Sequence, residues 1–150
     1  IGLYMTIAMG SDHAGFELKR QIFEQLQAEN YNVTDLGTDS EDRADYPDFG
    51  IKVGKAVANG DYDVGIIMCG TGIGISITAN KVRGVRAALC STDYDAEMCR
   101  KHNNANILAL GGRTTTIDLA MRMIHIFLKT EFEGGRHETR VNKIHSLTQR

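Results

Sequence analysis

The 150 residues make one domain by size, large enough to bury a core without disulfide or metal staples. A net charge of −2 with no basic run argues against nucleic acid or an anionic membrane surface as partner. Three irregularly spaced cysteines (Cys69, Cys90, Cys99) read as free thiols in a reducing, cytoplasmic compartment, and no apolar run reaches the ~18 residues of a membrane span.

Ile1-Gly2-Leu3-Tyr4 is too short and uncharged for a signal peptide and reads as an extension or cloning remnant of a single domain, 1–150. Met5 to Gly10 reads as a first strand and Ser11 to Gly15 as a turn. Leu18, Ile22 and Leu26 then mark one face of a helix, with Phe23 beside them. Tyr31 to Leu36 is a second strand. A polar loop follows with the only proline, Pro47, and Phe49 to Ala58 is a second helix closed by Asn59-Gly60. Asp63 to Cys69 is a third strand, and Val85 to Leu89 a fourth. Thr92-Asp93 opens a helix ending at His102-Asn103-Asn104. Ala105 to Leu110 is a fifth strand. Ile117, Ala120, Met121, Ile124, Phe127 and Leu128 form a stripe of period 3.6. Glu133-Gly134-Gly135 is a hinge before a last helix, about His137 to Gln149.

Strands alternating with helices predict a parallel sheet with helices on both faces. Right-handed crossovers put every strand's C-terminal end on one edge, where such sheets bind ligands. Asp12-His13, Cys69 and Gly111-Gly112-Arg113 all fall there.

The central stretch is Cys69-Gly70-Thr71-Gly72-Ile73-Gly74. A thiol where a strand gives way to a helix faces outward backbone N–H groups, a setting that favours an anion. The familiar glycine-loop readings fail. Ile75 stands where a dinucleotide fingerprint needs its third glycine and where a cysteine phosphatase needs arginine, and no lysine follows Gly74 as a P-loop requires. A buried inert cysteine is the competing reading.

His102 closes a helix and serves either as a cap or as a site group. Arg136 and Arg140 share a helix face, and with Arg113 suit a phosphate. His125 and His145 read as solvent-exposed, and Cys90 and Cys99 as structural. Among His, Cys, Asp and Glu no group has metal-ligand spacing, so no metal is predicted.

In order along the chain, Gly10-Ser11-Asp12-His13-Ala14-Gly15-Phe16, Asp45-Tyr46-Pro47, Cys69 to Gly74, Ala79-Asn80-Lys81, His102-Asn103-Asn104, Gly111-Gly112-Arg113 and Gly135-Arg136-His137 resemble the type B ribose-5-phosphate isomerases and the related galactose- and allose-6-phosphate isomerases. The resemblance implies a three-layer αβα, Rossmann-like fold with a five-stranded parallel sheet. It implies no cofactor, and a homodimer (or tetramer) with active sites at the subunit interface. It also implies an aldose–ketose isomerase of the pentose phosphate pathway. Cys69 and Ile75 match the branch whose base is cysteine.

On that resemblance Cys69 moves the proton between C2 and C1, His102 opens the sugar ring, and Thr71 hydrogen-bonds the cysteine or substrate. Asp12 and Tyr46 lie near the ring hydroxyls. Gly70, Gly72, Ile73 and Gly74 offer N–H groups to the enediolate, with Asn103 beside them. His13, Arg113, Arg136 and Arg140 hold the phosphate. Within the isomerases the alternative substrate is a 6-phosphohexose (allose 6-phosphate or galactose 6-phosphate), and the rival readings outside them are a thiol hydrolase or phosphatase and a non-catalytic sugar-phosphate or nucleotide sensor. Ile117, Ile124 and Phe127, with the apolar face of the last helix, are expected to supply a dimer seam.

Overall fold

The computed structural model describes residues 5–150, so the reading of residues 1–4 lies outside the described residues. Five strands, β1 (Thr6–Ser11), β2 (Asn32–Asp35), β3 (Val64–Cys69), β4 (Ala87–Leu89) and β5 (Ile107–Gly111), form one parallel sheet in the order β2-β1-β3-β5-β4. The helices are α1 (Phe16–Ala28), α2 (Tyr46–Ala58), α3 (Ile73–Ala79), α4 (Asp93–Lys101), α5 (Ile117–Lys129) and α6 (Arg136–Thr148). A short 3-10 turn, His13–Gly15, joins β1 to α1.

Alternate residues of the buried strands feed two cores, as the period of two requires. Met9, Ile66, Met68 and Leu108 pack with α1, α4 and α5 on one face. Ala8, Ile67, Cys69 and Ala109 pack with α2 and α3 on the other. This is the expected αβα arrangement. The chain leaves β1 toward β2, then returns to the other side of β1 for β3, so the order reverses between β1 and β3.

The elements stand close to their expected places. The largest shift is α2, which starts at Tyr46 rather than Phe49, because Pro47 in its first turn has φ set for a helix and no N–H to satisfy. Thr92 and Thr116 accept hydrogen bonds from the Asp95 and Leu119 N–H groups and so start α4 and α5.

Three expectations are corrected. Ile124 and Phe127 are fully buried inside the chain, and Ile117 packs against the same core, so this stripe offers no dimer seam. The exposed apolar side chains of α3 and α6 are instead Ile73, Ile77, Ile144 and Leu147. His125 is half-buried, with Nε2 2.6 Å from Glu29 Oε1. His145 is half-buried too, its Nε2 2.9 Å from an Arg86 guanidinium nitrogen. Cys90 and Cys99 are buried as read, their sulfurs 4.0 Å apart.

Lys19 is completely buried, with Nζ 2.5 Å from Asp35 Oδ1 and 2.6 Å from Thr38 O. At the sheet's far edge, the Asn80 carboxamide donates to Ala87 O at 3.0 Å and accepts from Ala87 N–H at 2.8 Å.

Candidate active site

The C-terminal edge of the sheet is assembled by close backbone contacts. Cys69 pairs with Gly111, and Ser11 pairs with Met68, so three strands end abreast. Past the strands, Gly112 N–H donates to Cys69 O at 2.7 Å and Arg113 N–H to Gly70 O at 3.0 Å. A side chain at Gly15 would bring its Cβ within 2.6 Å of Met68 O, and one at Gly112 within 2.7 Å of Ala14 O. Only glycine lets the turn after β1 press on both neighbours.

Into this edge the structure brings Asp12, His13, Tyr46, Cys69, the loop Gly70 to Gly74, and Arg113. Asp12 is buried and its Oδ1 accepts from Gly15 N–H at 3.1 Å, so the carboxylate shapes the turn as well as standing at the switch between β1 and β3. His13 Nδ1 lies 3.0 Å from Ala44 O and 3.1 Å from Ala44 N, which fastens the ring to the loop before α2. The first turn of α2 carries Tyr46 over the glycine loop; a Cβ on Gly74 would lie 2.6 Å from its ring. Gly72 holds φ +80°, a left-handed turn that suits glycine. The Arg113 guanidinium lies beside Gly70. Cys69 is 4% exposed. Thr71 Oγ1 accepts from Ile73 N–H at 3.2 Å, which removes Ile73 from the N–H groups expected to face an anion.

The remaining candidates stand at the other edge. Helix α4 runs back against the strands, so His102 and Asn103 at its end lie where β5 begins. Ile107 is level with Gly65, four residues before Cys69, which alone is about 13 Å along the strand. Helix α5 runs the same way, so α6 with Arg136 and Arg140 also starts at this edge. Within one chain, then, Arg113 does not join Arg136 and Arg140, and Cys69 does not meet His102.

At this second edge the structure joins His102 to two residues, Glu133 and His137, that the sequence reading leaves without a role. The rings of His102 and His137 stack with centroids 4.1 Å apart and planes 9° from parallel. Glu133 Oε1 lies 3.8 Å from His102 Nε2 and 3.4 Å from His137 Nε2. Glu133 N–H donates to Lys101 O at 3.1 Å, tying the α5–α6 connection to the end of α4. Gly134 and Gly135 both have positive φ, +70° and +57°, and turn the chain so that His137 faces His102. His137 is 6% exposed; burial, then the neighbouring His102 and Arg136 charges, hold its pKa below the ordinary 6.5.

The spacing argument against a metal-ligand set is corrected here, because the donor atoms of His102, Glu133 and His137 all lie within 4.8 Å of one another. Nonlocal folding, not sequence spacing, gathers them. Nearly parallel rings aim their in-plane lone pairs side by side rather than at one point, so the stack as it stands is not shaped to share one ion.

A buried thiol and a carboxylate at the switch point of a parallel sheet place this chain among the α/β proteins whose fold offers a small-ligand site at the C-terminal edge of the strands. The chain belongs to the Ribose/Galactose Isomerase family, whose model matches residues 7–144. It is 46% identical over 144 residues to ribose-5-phosphate isomerase B of Escherichia coli K12, covering 96% of this chain and 97% of the relative. The structure of Clostridium thermocellum ribose-5-phosphate isomerase B superposes with a TM-score of 0.95 at 54% identity, covering 97% of this chain and 98% of that one. D-erythrulose-4-phosphate isomerase of Pectobacterium atrosepticum is 43% identical over 141 residues, covering 93% of each chain.

Proposed function

We propose that the chain is an aldose–ketose isomerase that interconverts D-ribose 5-phosphate and D-ribulose 5-phosphate, in the pentose phosphate pathway of a reducing cytoplasm. The observation that carries the reading is Cys69 at the C-terminal end of β3, on the same edge as Asp12 and followed by a loop that meets Arg113 at Gly70 and Tyr46 at Gly74, at the point where the strand order reverses. Similarity to ribose-5-phosphate isomerases over nearly the whole chain supports the substrate.

The sugar enters mostly as a closed ring. His102 opens it, with Asp12 and Tyr46 at the ring hydroxyls. Cys69 as thiolate takes the C2 proton, leaving a cis-enediolate, and the thiol returns a proton to C1. A positioned acid or base of this kind contributes about 10²–10⁴-fold. The oxyanion faces backbone N–H groups of Gly70, Gly72 and Gly74, with the Thr71 hydroxyl proton and Asn103 as further donors. His13, Arg113, Arg136 and Arg140 hold the phosphate, which fixes C2 against the thiol.

Since one chain keeps these groups on two edges, the reading includes a homodimer in which Cys69 of one copy works with His102 and Asn103 of the other. The exposed Ile73, Ile77, Ile144 and Leu147 supply apolar surface for it.

The test is a panel of aldose phosphates, including erythrose and allose phosphates, assayed for ketose formation and for solvent exchange of the C2 proton. Ribose 5-phosphate should be turned over, and Cys69→Ala should abolish both signals while still binding the sugar phosphate. Near-wild-type turnover by Cys69→Ala would overturn the assignment of the base. Preference for a four-carbon sugar would move the substrate toward that of the Pectobacterium relative.

A further inference from the structure

We propose that Glu133 and His137 are positioning residues for His102: the buried His137 ring is the flat surface that holds the His102 ring, and the Glu133 carboxylate, facing both Nε2 atoms, ties the two rings together. The inference rests on the reading of His102 as the ring-opening group.

Three observations carry it. The rings lie 4.1 Å apart and 9° from parallel, a face-to-face arrangement that fixes the plane of the more exposed ring. Glu133 Oε1 faces both Nε2 atoms, at 3.8 Å and 3.4 Å, within ion-pair range of each. His137 Nε2 is buried and has no hydrogen-bond partner among the described residues, a cost that folded chains rarely bear without a use.

Two imidazolium rings this close repel each other, so charge is disfavoured on the ring that is also buried. His137 is inside and flanked by Arg136 and Arg140 of α6, which disfavour charge there. His102 is 39% exposed at the end of α4, and Lys101 beside it is paired with Glu97 at 3.0 Å. His102 is therefore the ring of the pair that can reach a sugar. In ring opening the C1–O4 bond breaks with its electron pair passing to O4, and O4 takes the proton from His102. The C1 hydroxyl becomes the aldehyde oxygen and gives its proton to water, from which His102 is recharged.

The variants are E133Q, H137A and H137F. Each is assayed on ribose 5-phosphate and on erythrose 4-phosphate, which cannot close a five-membered ring, and followed by 15N NMR of the histidine rings across pH. E133Q and H137A should lose kcat on ribose 5-phosphate by about tenfold more than on erythrose 4-phosphate. H137F, which restores a flat surface, should recover most of the H137A loss. In E133Q the His137 ring should release its proton at lower pH than in the wild type, because the Glu133 charge that favours it is gone. Wild-type kinetics and ring titration in E133Q, or H137F no better than H137A, would overturn the proposal. If His102→Asn loses both substrates equally, the ring-opening reading fails on its own, and the NMR comparison still decides whether Glu133 and His137 hold the ring.

Discussion

Cys69 and His102 stand at opposite edges of the same sheet: one ends β3, the other ends α4 where the chain has turned back. If two copies complete each site, inactive Cys69→Ala and His102→Asn chains should rescue one another. Unfolding and refolding equal amounts together makes about half of all dimers hybrid, each with one intact site. The mixture should regain about a quarter of wild-type activity if sites act independently. Verified hybrids that stay inactive would return both residues to one chain's site.

Arg136 and Arg140 share the exposed face at the start of α6. Replacing either with alanine should mainly raise KM. A charge-assisted contact of about 1.5–3 kcal/mol corresponds to about a 10- to 150-fold loss of affinity. Inhibition by inorganic phosphate should weaken in parallel; if it does not, the phosphate is held elsewhere.

Gly74 and Gly15 look alike in sequence but should respond differently to alanine. The obstacle at Gly74 is the Tyr46 ring, which is 41% exposed and can swing away. Gly74→Ala should keep its Tm within a few degrees yet lower kcat/KM by about ten- to a hundredfold, because a displaced ring misplaces the sugar. The obstacle at Gly15 is the Met68 carbonyl, which belongs to the central strand and cannot move. Gly15→Ala should cost about 1–3 kcal/mol in denaturant unfolding. A Gly74→Ala enzyme with unchanged kinetics would remove Tyr46 from the site.

His137 also sets a pH dependence of stability. Its folded pKa lies below the ordinary 6.5, chiefly through burial, so the unfolded chain binds the proton more readily. Its contribution is intact above about 6.5 and is lost as pH falls from there through the lower folded value. Denaturant melts between pH 7.5 and 5 should show this decline, and H137F should flatten it. An identical slope in H137F would assign the decline to other groups.

Much of this was legible in the sequence because it is local. Periodicity gave the strands and helices, and the parallel topology then placed Asp12, Cys69 and Arg113 on one edge without further information. The separation of Arg113 from Arg136 and Arg140 was less visible, since it depends on the direction in which α4 and α5 run. The Glu133–His137–His102 group was hidden because two remote segments make it. A partial signal existed: His137 stands four residues before Val141, on the stripe that α6 buries. Lys19 carried a similar one, three residues before Ile22 on the inward face of α1. In both cases a polar side chain sat at an apolar position, and only the fold supplied the partner that keeps it there.

The two outermost strands are also the two shortest, β2 with four residues and β4 with three. An open strand edge invites a neighbouring chain to add itself to the sheet. At β4 that invitation is withdrawn by Asn80, whose carboxamide offers Ala87 one donor and one acceptor, as the backbone of a sixth strand would. Growth by strand addition is blocked at that residue, so copies of this chain are steered to meet through helix faces, and a crowded cell is less able to draw them into fibrils.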